Sequence, residues 1–163
     1  MAMRPDVLAA MNDQINLEIS SAYLYLSMAL QMEDQNYKGY ATFLERHFDE
    51  ELQHAKAFMA FVQKRDAKPE LADIKAIPCN ITEPLELAKA VLAHEQKVTD
   101  SITKLHDLAI ECKDYPTQIF LQDFIKEQTE EEDLALSIIN KFTFAGTSTS
   151  AKYAVDKELF TIE

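Results

Sequence analysis

Tryptophan is absent from this chain of 163 residues, and glycine and cysteine occur only twice each, as Gly39, Gly146, Cys79 and Cys112. Sheets and phosphate-cradling loops depend on glycine-rich turns, so this scarcity excludes sandwiches, barrels and nucleotide folds and leaves an almost wholly helical chain. Two cysteines without CxxC spacing make no disulfide scaffold, and they read as reduced, buried thiols. Positive charge is scarce too: 16 Lys and Arg stand against 28 Asp and Glu, for a formal charge of −12. No basic tail or stripe occurs, which argues against nucleic acid and anionic membrane as partners. The start, Met1-Ala2-Met3-Arg4-Pro5, lacks an apolar run of signal-peptide length, and the most apolar stretch, Ala22 to Leu30, is too short to span a bilayer. These absences predict a cytoplasmic protein.

What the chain does have is apolar material for one core, 47% of its residues, in a length that suits a single domain over 1–163. Breaks at Glu33 to Asn36, at 65–82 with Pro69 and Pro78, at Asp114-Tyr115-Pro116 and at Gly146 to Ser150 divide it into segments. Helices are expected at about 5–34, 37–64, 83–111 and 116–143, with a short fifth at about 151–160. Each long helix would run roughly 42 Å, and the link between the second and third, about 18 residues, can travel the length of a bundle. The expected fold class is therefore all-α, a four-helix bundle with a long crossover between helices 2 and 3 and a short C-terminal helix.

The buried stripe of a bundle helix advances in alternating steps of three and four residues. In the first helix it reads Leu8, Met11, Ile15, Glu18, Ala22, Tyr25, Ala29, Met32, and in the second Tyr40, Leu44, His47, Glu51, His54, Phe58, Phe61. The third gives Ala88, Val91, Glu95, Val98, Ile102, Leu105, and the fourth Leu121, Phe124, Gln128, Glu131, Ala135, Ile138, Phe142. Each seam is interrupted by polar residues near its midpoint, so packing side by side brings Glu18, Glu51, His54, Glu95, Gln128 and Glu131 to one level. Buried carboxylates repel one another and are costly to desolvate, and no Lys or Arg lies in the seams there, so a bound cation is the economical partner. Carboxylate, amide and imidazole donors suit iron or manganese better than a thiolate-type zinc site. Di-iron carboxylate bundles take a Glu from each of two helices and Glu-x-x-His from each of the other two. Glu18, Glu95 and Glu51-Leu52-Gln53-His54 fit that pattern, while Gln128-Thr129-Glu130-Glu131 lacks the second histidine. Two unequal positions are expected, one of Glu18, Glu51 and His54 and one of Glu51, Glu95 and Glu131, with Glu51 bridging.

Taken together, Asn16-Leu17-Glu18 with Tyr25, Glu50-Glu51-Leu52-Gln53-His54, His94-Glu95-Gln96, Asp114-Tyr115-Pro116-Thr117, Glu127 to Glu132 and Asp156-Lys157-Glu158-Leu159 resemble the non-haem ferritins of bacterial type, over essentially the whole chain. The resemblance implies a ferritin-like fold and a homo-oligomeric cage of 24 subunits. It implies ferroxidase activity, with Fe(II) oxidised by dioxygen or peroxide at an intrasubunit di-iron centre and stored as ferric mineral. It places Glu18, Glu51 and His54 at the first iron and Glu51, Glu95 and Glu131 at the second, with Gln128 beside them. No haem is expected, since Leu52 stands where bacterioferritins carry a ligating Met and Glu131 where they carry a second His. On the family register the positions facing the three-fold channel fall at Gln118 and Leu121.

Glu50, Glu127 and Glu130 each precede a seam position by one residue and so share an angular offset of about 100°. By spacing alone they are a solvated acidic flank; the resemblance implies a third iron site there. Tyr25, one heptad beyond Glu18, is either core or an additional electron source. A reading from another class, a helical scaffold with an incidental polar layer, predicts no tight Fe(II) site and no oxidase activity.

Overall fold

A computed structural model describes residues 2–162. Among these residues five helices follow one another: α1 (Pro5–Asp34), α2 (Lys38–Lys64), α3 (Pro84–Glu111), α4 (Tyr115–Ala145) and α5 (Thr149–Leu159). Proline occupies the first turn of α1, α3 and α4, where its missing N–H has no helical partner to lose. Asp114 caps α4 by accepting the Thr117 N–H at 3.1 Å, and Ser148 caps α5 through the Ala151 N–H. Gly146 ends α4 at φ +58°, a conformation that side chains resist. With Gly146 past the end, α4 continues two residues beyond the expected 143.

The four long helices form a bundle ordered α1, α2, α4, α3 around its axis. Contacts between α1 and α3 (Gln14 with Ser101, Ser21 with His94) run in opposite chain directions, as do those between α2 and α4 (His47 with Glu131, His54 with Glu127, Arg65 with Asp114). Adjacent helices are thus antiparallel, and α2 and α3 point the same way because the 65–83 crossover returns the chain to the starting end. Asn12 and Asn16 of α1 pin that crossover: Asn12 Oδ1 accepts the Glu70 N–H, Asn16 Oδ1 accepts the Ala72 N–H, and Asn16 Nδ2 donates to the Glu70 carbonyl. Such side chains stand in for a missing backbone partner.

The buried apolar residues fall into two clusters. One gathers Tyr25, Met32, Leu44, Leu87, Val91, Ile138 and Phe142, and the other Met11, Ile15, Phe58, Val98, Ile102, Leu121 and Phe124. On every long helix the polar seam residues lie in sequence between members of the two clusters, so the site occupies a polar layer between two hydrophobic halves. Cys79 and Cys112 are free but half-buried rather than buried. Leu121 has no exposed surface, so it does not face a channel; a side chain on the inner seam cannot also look outward. Gln118 is half-buried and donates to the Ala109 carbonyl at 3.0 Å. Among the described residues no helix is long and apolar enough to cross a membrane.

Candidate metal centre

The bundle brings Glu18 of α1 together with Glu51 and His54 of α2, with ligand atoms all within 4.8 Å of one another. Glu51 and His54 are three residues apart on one helix and so share a face. His54 Nδ1 lies 3.2 Å from Glu51 Oε2 and 3.7 Å from Glu18 Oε2, and His54 Nε2 lies 3.0 Å from Glu127 Oε1. Burial works against the charge of His54, yet its hydrogen bonds with Glu127 and Glu51 and the facing Glu18 override burial and raise its pKa to about 12. Burial raises Glu51 well above the usual carboxylate range, and neighbouring Glu18 adds to this while His54 opposes it. Glu18 is desolvated as well, but His54, Glu51 and the Gln14 amide hold it below the ordinary value. The acid in the middle of the cluster thus keeps its proton more readily than the acid on its flank.

Glu18 Oε2 is fully buried and has no hydrogen-bond partner among the described residues. An orphaned carboxylate oxygen is expensive to bury, and this one belongs to the group whose atoms converge with Glu51 and His54. A divalent cation accepting Oε2 together with Glu51 and His54 satisfies it, which is the fit between this donor set and a metal.

The other expected ligands stand nearby with different partners. Glu95 accepts a short hydrogen bond from the Tyr25 hydroxyl and a 3.0 Å bond from Gln128 Nε2, which also donates toward the Glu95 carbonyl and Thr99 Oγ1. Burial raises the pKa of both Glu95 and Tyr25. Glu131 turns to His47, whose Nε2 donates to Glu131 Oε2 at 2.9 Å and whose Nδ1 donates to the Phe43 carbonyl at 3.2 Å. Burial would lower His47, but Glu131 outweighs it and the net shift is upward. Glu51, Glu95 and Glu131 therefore line the same layer without converging as the first three do.

A second convergence joins His47, Glu50 and Glu131, again within 4.8 Å. It opens into a cavity of about 260 Å³ lined also by Glu127, Glu130 and Leu134. The expected acidic trio of Glu50, Glu127 and Glu130 thus lines one cavity, with His47 and Glu131 completing it. Seam spacing places His47 in the buried stripe of α2 but gives it no role; its partner on α4 depends on the relative register of two helices, which one helix's sequence does not carry. His94 differs from the other two imidazoles. Its burial, with Lys97 nearby, lowers its pKa to about 4, so it is neutral and donates Nε2–H to Ser21 Oγ at 2.8 Å, while Ser21 donates to the Leu17 carbonyl. His47 and His94 both set ring edges against Tyr25, at centroid distances of 5.4 and 5.8 Å.

The pattern of the ferritin-like domain family matches residues 8–145. A bacterial non-heme ferritin of Escherichia coli O6:H1 is 34% identical over 161 residues, 99% of this chain and 98% of its own length. One from Staphylococcus aureus strain USA300 is 34% identical over 154 residues, 94% of this chain and 93% of its own. In three dimensions the open pore ferritin from the hyperthermophilic archaeon Archaeoglobus fulgidus is similar to this chain at a TM-score of 0.97 and 36% identity, over 99% of this chain and 100% of that one.

Proposed function

The chain belongs to the ferritin family, and from that membership and the cluster at mid-bundle we propose that it is an iron-storage ferritin with ferroxidase activity, working in the cytoplasm. Fe(II) is substrate and cargo. The observation that carries the reading is the convergence of Glu18, Glu51 and His54 around a buried carboxylate oxygen that lacks a partner.

The first Fe(II) binds Glu18, Glu51 and His54. The second is held by Glu51, which bridges, with Glu95 and Glu131, and Gln128 beside them, once Glu131 leaves His47 and Glu95 turns from Tyr25. Two Fe(II) ions give one electron each; dioxygen takes both with two protons and is reduced to hydrogen peroxide, so no external reductant enters. Where peroxide is the oxidant, the same two electrons and two protons yield water. Carboxylates favour the higher charge of Fe(III), which drives the oxidation forward. Tyr25, in contact with Glu95, is placed to supply a further electron. Glu50, Glu127 and Glu130 form a third iron site in the neighbouring cavity, with His47 and Glu131 at its rim.

Storage requires a closed compartment, and the family membership supports a cage of 24 identical subunits. At −12 per chain such a shell carries a formal charge of about −288, a field that concentrates cations. Anaerobic Fe(II) titration with stopped-flow oxidation tests the centre: two irons per chain oxidise rapidly in wild type, and Glu51→Ala abolishes the fast phase. An unchanged initial rate in that variant would remove the bridging assignment. Glu130→Ala tests the third site, since two irons per chain with an identical iron-to-oxygen ratio in both proteins would reduce it to surface charge. Native mass measures the cage directly.

A further inference from the structure

Gln14 is 1% exposed and lies one turn before Glu18 on the same face of α1. Its side-chain amide joins two helices: Nε2 donates to Glu18 Oε1 at 2.7 Å, and Oε1 accepts the Ser101 hydroxyl of α3 at 2.6 Å. The direction of this chain is fixed by chemistry. An ionised carboxylate only accepts, so the amide must turn its NH₂ to Glu18, and its carbonyl then needs a donor, which Ser101 supplies. One oxygen of Glu18 is thereby occupied, while the other, Oε2, is left buried, without a hydrogen bond and 3.7 Å from His54 Nδ1.

We infer that Gln14, oriented by Ser101, is a positioning residue that presents Glu18 to the cation through Oε2 alone and holds it to one-oxygen coordination. This rests on the proposed metal centre, since it describes how one ligand of that centre is aimed. The hydrogen bond that the Gln14 amide donates to Oε1 draws electron density from that oxygen and stands between it and any cation shared with Glu51 and His54. Chelation by both oxygens requires the 2.7 Å bond to break. Coordination positions that Glu18 does not fill are then left for the bridging carboxylate and for the oxidant. Partners of this kind, one step behind the ligand, set both the orientation and the strength of the ligand they hold.

Ser101 stands beside a surface groove of about 260 Å³ lined by Ala10, Asp13, Lys104, Leu105 and Leu108, so the place of its side chain has room for one more methyl group. Ser101→Thr therefore keeps the hydroxyl, and Ser101→Ala removes it from a half-buried position with little disturbance to the core.

The test uses Co(II) under anaerobic conditions, a probe that reports coordination number without oxidation chemistry. Gln14→Leu should weaken Co(II) binding at the first equivalent by about 10–100-fold. It should also lower the extinction of the visible d–d bands, because a released Oε1 lets Glu18 chelate and raises the coordination number. Ser101→Ala should shift both quantities in the same direction by less, and Ser101→Thr should restore them. Wild-type affinity and an unchanged Co(II) spectrum in both Gln14→Leu and Ser101→Ala would overturn the inference while leaving the metal centre intact. Failure of wild type to bind Co(II) at all, or full binding by Glu18→Ala, would overturn the centre and this inference together.

Discussion

Asp156 in α5 and Tyr40 in α2 are joined by a hydrogen bond of 2.8 Å from the Tyr40 N–H to Asp156 Oδ1, and the other carboxylate oxygen accepts the Gly39 N–H at 3.1 Å. An acid distant in sequence thus caps the start of α2, which has no side-chain cap of its own. Arg46 of α2 returns the interaction, donating to the carbonyls of Leu159, the last residue of α5, and of Phe160 and Ile162 just past it. The two backbones approach so closely that a Cβ on Gly39 would sit 1.8 Å from the Asp156 carbonyl oxygen.

Two variants separate capping from close approach. Asp156→Ala should destabilise the subunit by about 1–2 kcal/mol, the usual worth of a helix cap. Gly39→Ala leaves the cap chemically intact but forces backbone apart, so α5 should detach before the bundle melts. Calorimetry reads the first effect, and limited proteolysis within 146–162 reads the second. A Gly39→Ala protein with wild-type resistance to protease would contradict the close approach.

At the opposite end of α2, Arg65 forms a two-pronged pair with Asp114 at 2.8 and 3.2 Å and also donates to Thr117. Burial works against the Asp114 charge, but Arg65 and Thr117 hold its pKa below the ordinary 3.8. A depressed carboxylate contributes stability that is present above 3.8 and lost as pH falls through its folded value. Asp114→Ala should cost about 3–5 kcal/mol at neutral pH, the range for breaking a buried pair, and flatten the acid limb of the stability profile. Urea denaturation between pH 2 and pH 7 measures both; a parallel acid limb in the variant would contradict the pairing.

The intervals along each helix carried most of the fold and the ligand layer, because seam spacing is a property of one helix at a time. Every α3 seam residue from Ala88 to Leu105 is buried, and Glu18, Glu51 and His54 meet as their shared level requires. What spacing does not carry is the pairing between helices. Whether Glu131 reaches Glu51 or His47, whether Ser101 faces Gln14, and whether Asp156 caps α2 all depend on sub-turn offsets set by the packing of the whole bundle. Gln14 left a faint trace, since i,i+4 spacing puts an amide beside Glu18. Leu121 was assigned both to the core seam and to a channel lining, and the packing admits only the first.

The protonation of the cluster sets the pH dependence of metal binding. His54 has its pKa raised from an ordinary 6.5 to about 12, so a cation must displace its proton at neutral pH, and burial shifts Glu51 upward as well. Affinity at the first equivalent should rise with pH, with the His54 proton released on binding. The stability of the protein without added metal should run the other way: a raised histidine contributes fully below 6.5 and loses its contribution as pH climbs toward about 12. Calorimetric Zn(II) titration in buffers of different ionisation enthalpy counts the protons. His54→Gln should release fewer, and equal proton release in variant and wild type would refute the assignment.

The two metal positions differ in readiness. Glu18, Glu51 and His54 already converge, whereas Glu131 is held by His47 and Glu95 by Tyr25 and Gln128. The second position forms only after those bonds break, so the two ions should bind stepwise, the second more weakly. Glu131→Ala should leave the first equivalent near wild-type affinity and abolish the second. His47→Phe, which frees Glu131 without removing it, should strengthen the second step relative to the first. The shift of His47 points the same way: burial would lower its pKa, but Glu131 outweighs burial and raises it, so the two groups hold each other. The gap between the two binding steps should therefore be narrower in His47→Phe than in wild type at either pH. Anaerobic Fe(II) titration followed calorimetrically at pH 6 and pH 8 measures the gap, and one shared affinity for both ions at both pH values would show that Glu131 is not restrained by His47.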